Sequence, residues 1–126
     1  MILVFGGAYQ GKLAYVLERF ELTEKDVLFC EDSDTSVPSG KKAINSLENW
    51  VLALVKEDLD IGALTKMLLE QCKDSIVICS DISGGVVPVD PRMRKWREAV
   101  GQVMGALARE ADEVIRLFCG IPTRLK

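Results

Sequence analysis

The chain has 126 residues, 48% hydrophobic and 28% charged, a composition that predicts one globular domain over 1–126 with a single core. Its net charge of −3 and pI near 5.0 argue against a general nucleic-acid or anionic-membrane binder. It contains no histidine, which excludes imidazole catalysis, histidine metal ligation and a covalent histidine intermediate from the chain's own side chains.

Met1 to Phe5 is a continuous run of apolar β-formers, the pattern of a central strand covered on both faces. It leads into Gly6-Gly7-Ala8-Tyr9-Gln10-Gly11-Lys12-Leu13, a G-x-x-x-x-G-K stretch. From Lys12 to Phe20, Leu13, Val16, Leu17 and Phe20 recur at helical spacing and predict a short amphipathic helix. Val27 to Cys30 reads as a second strand, followed by the acidic residues Glu31, Asp32 and Asp34 in a polar loop that continues through Gly40. Helices are predicted over Leu47–Val55 and from about Ile61 to Cys72, the second burying Leu64, Met67, Leu68 and Cys72. Ser75 to Ser80 is a clear interior strand, ending at Asp81 and a Gly84-Gly85 turn. Asp90 as N-cap and Pro91 at the first helical position open a long helix to about Ala111, with Met93, Trp96, Val100, Val103, Met104 and Leu107 as its buried stripe. Glu113 to Cys119 predicts a strand, Gly120-Ile121-Pro122 a turn, and Thr123 to Lys126 a hairpin strand. Strands alternating with helices predict an α/β domain with a mainly parallel sheet.

Cys30, Cys72, Cys79 and Cys119 form no C-x-x-C pair, and three of them lie in or at the end of apolar runs; free thiols in a reducing cytoplasm are expected. No run is long enough for a signal sequence or a membrane span.

The chemistry concentrates at the first loop. Successive N–H groups in a glycine-rich turn, with the positive end of the following helix, form a concave anion site, and a lysine ammonium at position 12 reaches the outer phosphates. A phosphate-binding loop over Gly6–Leu13 is the expected function, a glycine turn that merely joins strand to helix being the alternative. Leu13 stands where a serine or threonine would give its oxygen to Mg2+, so the metal site is weakened, and turnover should suffer more than binding. Asp81, at a strand end, suits either a metal-shell carboxylate or a turn cap. Arg92, Arg94, Lys95 and Arg97 crowd the first turns of the long helix against its dipole; Arg94 and Arg97 are candidates for phosphate or subunit contact, a solvated face being the alternative.

The opening M-I-L-V-F-G-G-A-Y-Q-G-K resembles the start of the bifunctional adenosylcobinamide kinase/adenosylcobinamide-phosphate guanylyltransferases of cobalamin biosynthesis, whose pattern is close to I-L-V-T-G-G-A-R-S-G-K-S. Ile78 to Pro88 is similar to that family's V-T-N-E-V-G-x-G-I-V-P, Arg94-Lys95-Trp96-Arg97-Glu98 followed by Gly101 resembles R-x-F-R-D-x-x-G, and Asn45 to Trp50 is a weaker echo of D-C-L-T-x-W. The resemblance implies a P-loop NTPase fold of the RecA-like type, a nucleoside triphosphate ligand, a cobinamide substrate, a cytoplasmic kinase or transferase, and a homo-oligomer, often a trimer. Asp81 would stand in for the family's glutamate. The departures are a contracted Asp32–Ile44 region lacking the family's guanylyl-accepting histidine, Leu13 for serine, Asn45 for aspartate, and Met104-Gly105 for Asn-Gln. They leave two readings: a compact enzyme of the cobinamide salvage type, or a catalytically degenerate protein that binds nucleotide for regulation or assembly.

Overall fold

In the computed structural model, which describes residues 1–83 and 89–126, strand β1 (Ile2–Gly6) lies inside the sheet, as a run apolar on both faces requires. Then follow α1 (Lys12–Arg19), a 3-10 turn (Glu24–Asp26), β2 (Val27–Phe29), β3 (Ala43–Asn45), α2 (Leu47–Lys56), α3 (Ile61–Gln71), β4 (Ile76–Ser80), α4 (Pro91–Glu110), β5 (Glu113–Phe118) and β6 (Ile121–Arg124). Among the described residues these strands form one six-stranded sheet in the order β2-β3-β4-β1-β5-β6. It is parallel except for the β5–β6 hairpin. This is the α/β, mainly parallel architecture the alternation of elements predicts.

Two layers of apolar side chains flank the sheet. Leu3, Ile44, Val77 and Cys79 point to one face, where α2, α3 and α4 supply Leu47, Trp50, Leu54, Leu68, Val103 and Leu107. Val4, Ile78, Ile115 and Leu117 point to the other, where α1 contributes Val16. Helix α1 follows β1 and helix α4 follows β4, so neighbouring strands send their connections to opposite faces. The crevice this opens lies at the carboxyl ends of β1 and β4, where open α/β sheets bind their ligands.

Three details differ from the sequence expectation. A strand, β3, occupies Ala43–Asn45; three residues are too few to show a period, and its identity comes from pairing with β2 and β4. The hairpin reverses at Cys119 and Gly120, both at positive φ, so Ile121 and Pro122 already belong to β6. Pro122 is tolerated there because β6 is an edge strand. Met67 and Met93 remain 49% and 37% exposed rather than buried, because each sits at the margin of its helix's apolar stripe. The Gly84-Gly85 turn expected after β4 lies outside the described residues.

Candidate functional site

The glycine loop between β1 and α1 is held by close packing. A Cβ on Gly6 would lie 2.4 Å from the Leu117 carbonyl oxygen, so β1 can leave the sheet beside β5 only with hydrogen at that position. Gly11 adopts the left-handed conformation (φ 83°) that starts α1. Between them, Gln10 is gripped by the β5–β6 turn: its carbonyl accepts from the Gly120 N–H at 3.1 Å, and its side-chain oxygen accepts from the Cys119 N–H. Lys12 is buried, and its ammonium donates to the Gly7 carbonyl at 2.7 Å across the loop. Burial lowers the Lys12 pKa, against the fields of Glu48 and of Cys79, which raise it.

This loop forms one wall of a cavity of about 230 Å3. Tyr9 to Ala14 line that wall; Asn45, Ser46 and Glu48, from the β3–α2 junction, and Ile78 and Ser80, from β4, line the rest. Two helices open on the cavity, and neither has a side-chain cap: α1 begins at Gly11 and α2 at Ser46. The helices that begin elsewhere are capped, α3 by Asp60 accepting from Ala63 N–H and α4 by Asp90 accepting from Arg92 N–H. Uncapped helix N-termini present unpaired N–H donors and the positive end of the dipole. Backbone strain gathers at the same place. Of the five non-glycine residues at positive φ among the described residues, Tyr9 and Ser46 line the cavity and Cys119 holds Gln10.

Gly6, Gly7, Ala8, Tyr9, Gln10, Gly11, Lys12 and Leu13 thus form one continuous loop and helix start, with Ala8 and Tyr9 exposed. Leu13 is half-buried against the α1-side core as well as lining the cavity, so its side chain serves packing. Asp81 flanks the loop, its N–H donating to the Gly6 carbonyl at 2.8 Å. Its carboxylate accepts from the Ser83 N–H and hydroxyl, and these bonds, with Arg116 and Arg97 nearby, hold its pKa below the usual value against partial burial. Arg97 reaches the same segment by donating to the Ser83 carbonyl, whereas Arg94 is exposed on α4. Asp32 pairs with Lys56 at 3.4 Å and Asp34 accepts from Ser36 N–H, in a loop away from the cavity lining. Met104 and Gly105 line a separate apolar cavity of about 380 Å3, with Leu3, Phe5 and Val114.

Glu48 was not legible as a cavity residue from sequence. Its Oε1 accepts from the Ser80 N–H at 2.9 Å, beyond the end of the β3–β4 pairing, and its carbonyl accepts from the Trp96 indole at 2.8 Å. The local signal, a polar Ser46 and Glu48 opening a helix, was present but ambiguous without β3. For Mg2+, the donor set departs from a phosphate-loop metal site: Leu13 offers no oxygen and Asn45 only an amide, leaving Glu48 as the carboxylate lining the cavity. Among the described residues no group of three histidine, cysteine or acidic residues is placed to hold a metal by itself.

The family model for cobinamide kinase / cobinamide phosphate guanyltransferase matches residues 40–125, from the loop before β3 through β6. The chain belongs to this family. The cobinamide kinase/guanyltransferase match covers β3, β4 and the β5–β6 turn that grips Gln10, and it begins after the glycine loop. A comparison with curated proteins gives no match. No helix among the described residues is long and apolar enough to cross a membrane.

Proposed function

We propose that the cavity binds a nucleoside triphosphate, GTP or ATP, with its phosphates on the Gly6–Leu13 loop and against Lys12. The observation that carries this reading is the convergence of two uncapped helix N-termini and a buried ammonium on one crevice at the strands' carboxyl ends. In the free protein Lys12 is already ordered on the Gly7 carbonyl, a bond that a phosphate oxygen replaces without a new rotamer search. Arg97, beside Asp81 and Ser83, is the candidate for a further phosphate contact.

Binding is the retained activity, and guanylyl transfer through a histidine is closed to side chains of this sequence. Leu13 and Asn45 weaken metal placement, which costs phosphoryl transfer more than recognition. Family membership favours a second reading, a cytoplasmic kinase acting on a cobinamide, with Lys12 on the transferred phosphate and Asp81 near the metal shell. In either reading a homo-oligomer, such as a trimer, is the expected assembly.

Thermal-shift titrations with GTP, ATP and inorganic phosphate test the binding reading. A ligand at 100 times its dissociation constant stabilises the fold by about 2.7 kcal/mol, and Lys12→Ala should abolish the shift. Equal shifts in wild type and Lys12→Ala would remove the cradle as the site. Cobinamide phosphorylation by wild type would establish the enzyme, and phosphorylation gained only in Leu13→Ser would place the loss at that side chain.

A further inference from the structure

The cavity contains one feature that opposes anion binding. Glu48 lines it together with Lys12, and its negative field reaches the ammonium, offsetting part of the lowering that burial imposes on the Lys12 pKa. Only one of its two carboxylate oxygens is needed for the bond to Ser80 N–H. A polyphosphate drawn in by Lys12 and the two helix ends therefore meets a fixed negative charge on the far wall. A hard divalent cation between the two converts that repulsion into a bridge, because Mg2+ is held by one or two carboxylates, phosphate oxygens and several waters.

We propose that Glu48 makes nucleotide binding at this cavity dependent on a divalent cation, its carboxylate sharing one hydrated Mg2+ with the phosphates. The inference rests on the nucleotide reading above and deepens it. Neither Leu13 nor Asn45 supplies an anionic oxygen, and Glu48, on the first turn of α2, has the charge that they lack. The resembling pattern D-C-L-T-x-W has threonine where this chain has Glu48, so the carboxylate stands at the start of α2, just past the aspartate position that Asn45 holds at the end of β3.

The test is calorimetric titration of GTP and of ATP into wild type and Glu48→Gln, each with saturating Mg2+ and with EDTA. Gln keeps an oxygen acceptor for Ser80 N–H, so the local fold is retained. Wild type should bind about tenfold more tightly with Mg2+ than without it. Glu48→Gln should lose that dependence to within about twofold and bind metal-free nucleotide more tightly than wild type does. A second readout needs no variant: Mn2+ added with nucleotide should broaden the Ser80 amide resonance, whose N–H contacts Glu48. Equal Mg2+ dependence in the two proteins, or an unbroadened Ser80 amide with nucleotide bound, would overturn the proposal while leaving the cradle standing. No binding by either protein in any condition would overturn the nucleotide reading itself.

Discussion

On the loop wall of the cavity, Gly11 presents backbone, and the single charged side chain, Lys12, is ordered by the Gly7 carbonyl. On the opposite wall, at the β3–α2 junction and the end of β4, side chains present the chemistry: Asn45, Ser46 and Glu48, with the Cys79 thiol buried behind them. Each wall departs from the resembling family's pattern at one position, Leu13 on the loop side and Asn45 opposite, but the two walls are open to loss in different ways. A cradle of N–H groups depends on chain path, which packing against β5 enforces, whereas a metal wall depends on individual oxygens, each removable by one substitution. On the proposed reading, anion recognition persists while the opposite wall is rebuilt around Glu48.

The contrast can be broken most sharply at Gly6. Gly6→Ala drives a methyl group into the Leu117 carbonyl, a backbone atom that cannot swing away, and should cost about 1–3 kcal/mol in urea denaturation. A loss under about 0.5 kcal/mol would mean that the loop wall is not fixed by its contact with β5.

Next to the opposite wall, where the Cys30 N–H donates to the Asn45 carbonyl, the fold has an alkaline signature. Burial, then the fields of Glu48 and Asp34, pushes the Cys30 thiol up from 9.0 to about 12. Between those values the unfolded chain has released the proton and the folded chain has not. The stabilisation present below pH 9.0 is therefore lost as pH rises, by about 1.4 kcal/mol per pH unit at most. Cys30→Ala should flatten the stability profile above pH 9.0 by up to that slope. Superimposable profiles would show that the thiol is hydrated in solution.

The smallest effect concerns the side chain that ties the loop wall to the β5–β6 turn. Gln10→Ala removes the acceptor of the Cys119 N–H but not the backbone bond to Gly120, so stability should fall by only about 1 kcal/mol. Faster hydrogen exchange confined to the Cys119 amide is the expected local readout. An unchanged rate would mean that the loop is held by backbone alone, which would sharpen the contrast.

Legibility in the sequence followed the same division. β1, the glycine loop, α1 and α4 could be read locally, since continuous apolar runs, glycine spacing and the Asp90-Pro91 cap are properties of neighbouring residues. β3 could not, because Ala43–Asn45 becomes a strand only through its partners Val27–Phe29 and Ile76–Val77. Losing β3 hid Glu48, since its place in the cavity follows from where β3 hands the chain to α2. Lys12 was legible as the loop cation, but its fixing on Gly7 and the grip of the hairpin on Gln10 join residues that no local pattern connects.

That grip also has a kinetic side. Gln10 and Cys119 are 109 residues apart, and their contact requires the β5–β6 hairpin in its place beside β1. Closing so long a loop comes at an entropic cost that few early contacts repay, so the cradle matures late in folding. A ligand that needs the finished loop discriminates between nearly folded and fully folded molecules, and by mass action draws the population toward the latter. Nucleotide would then work as a proofreader of the chain's own folding, even where it is never consumed.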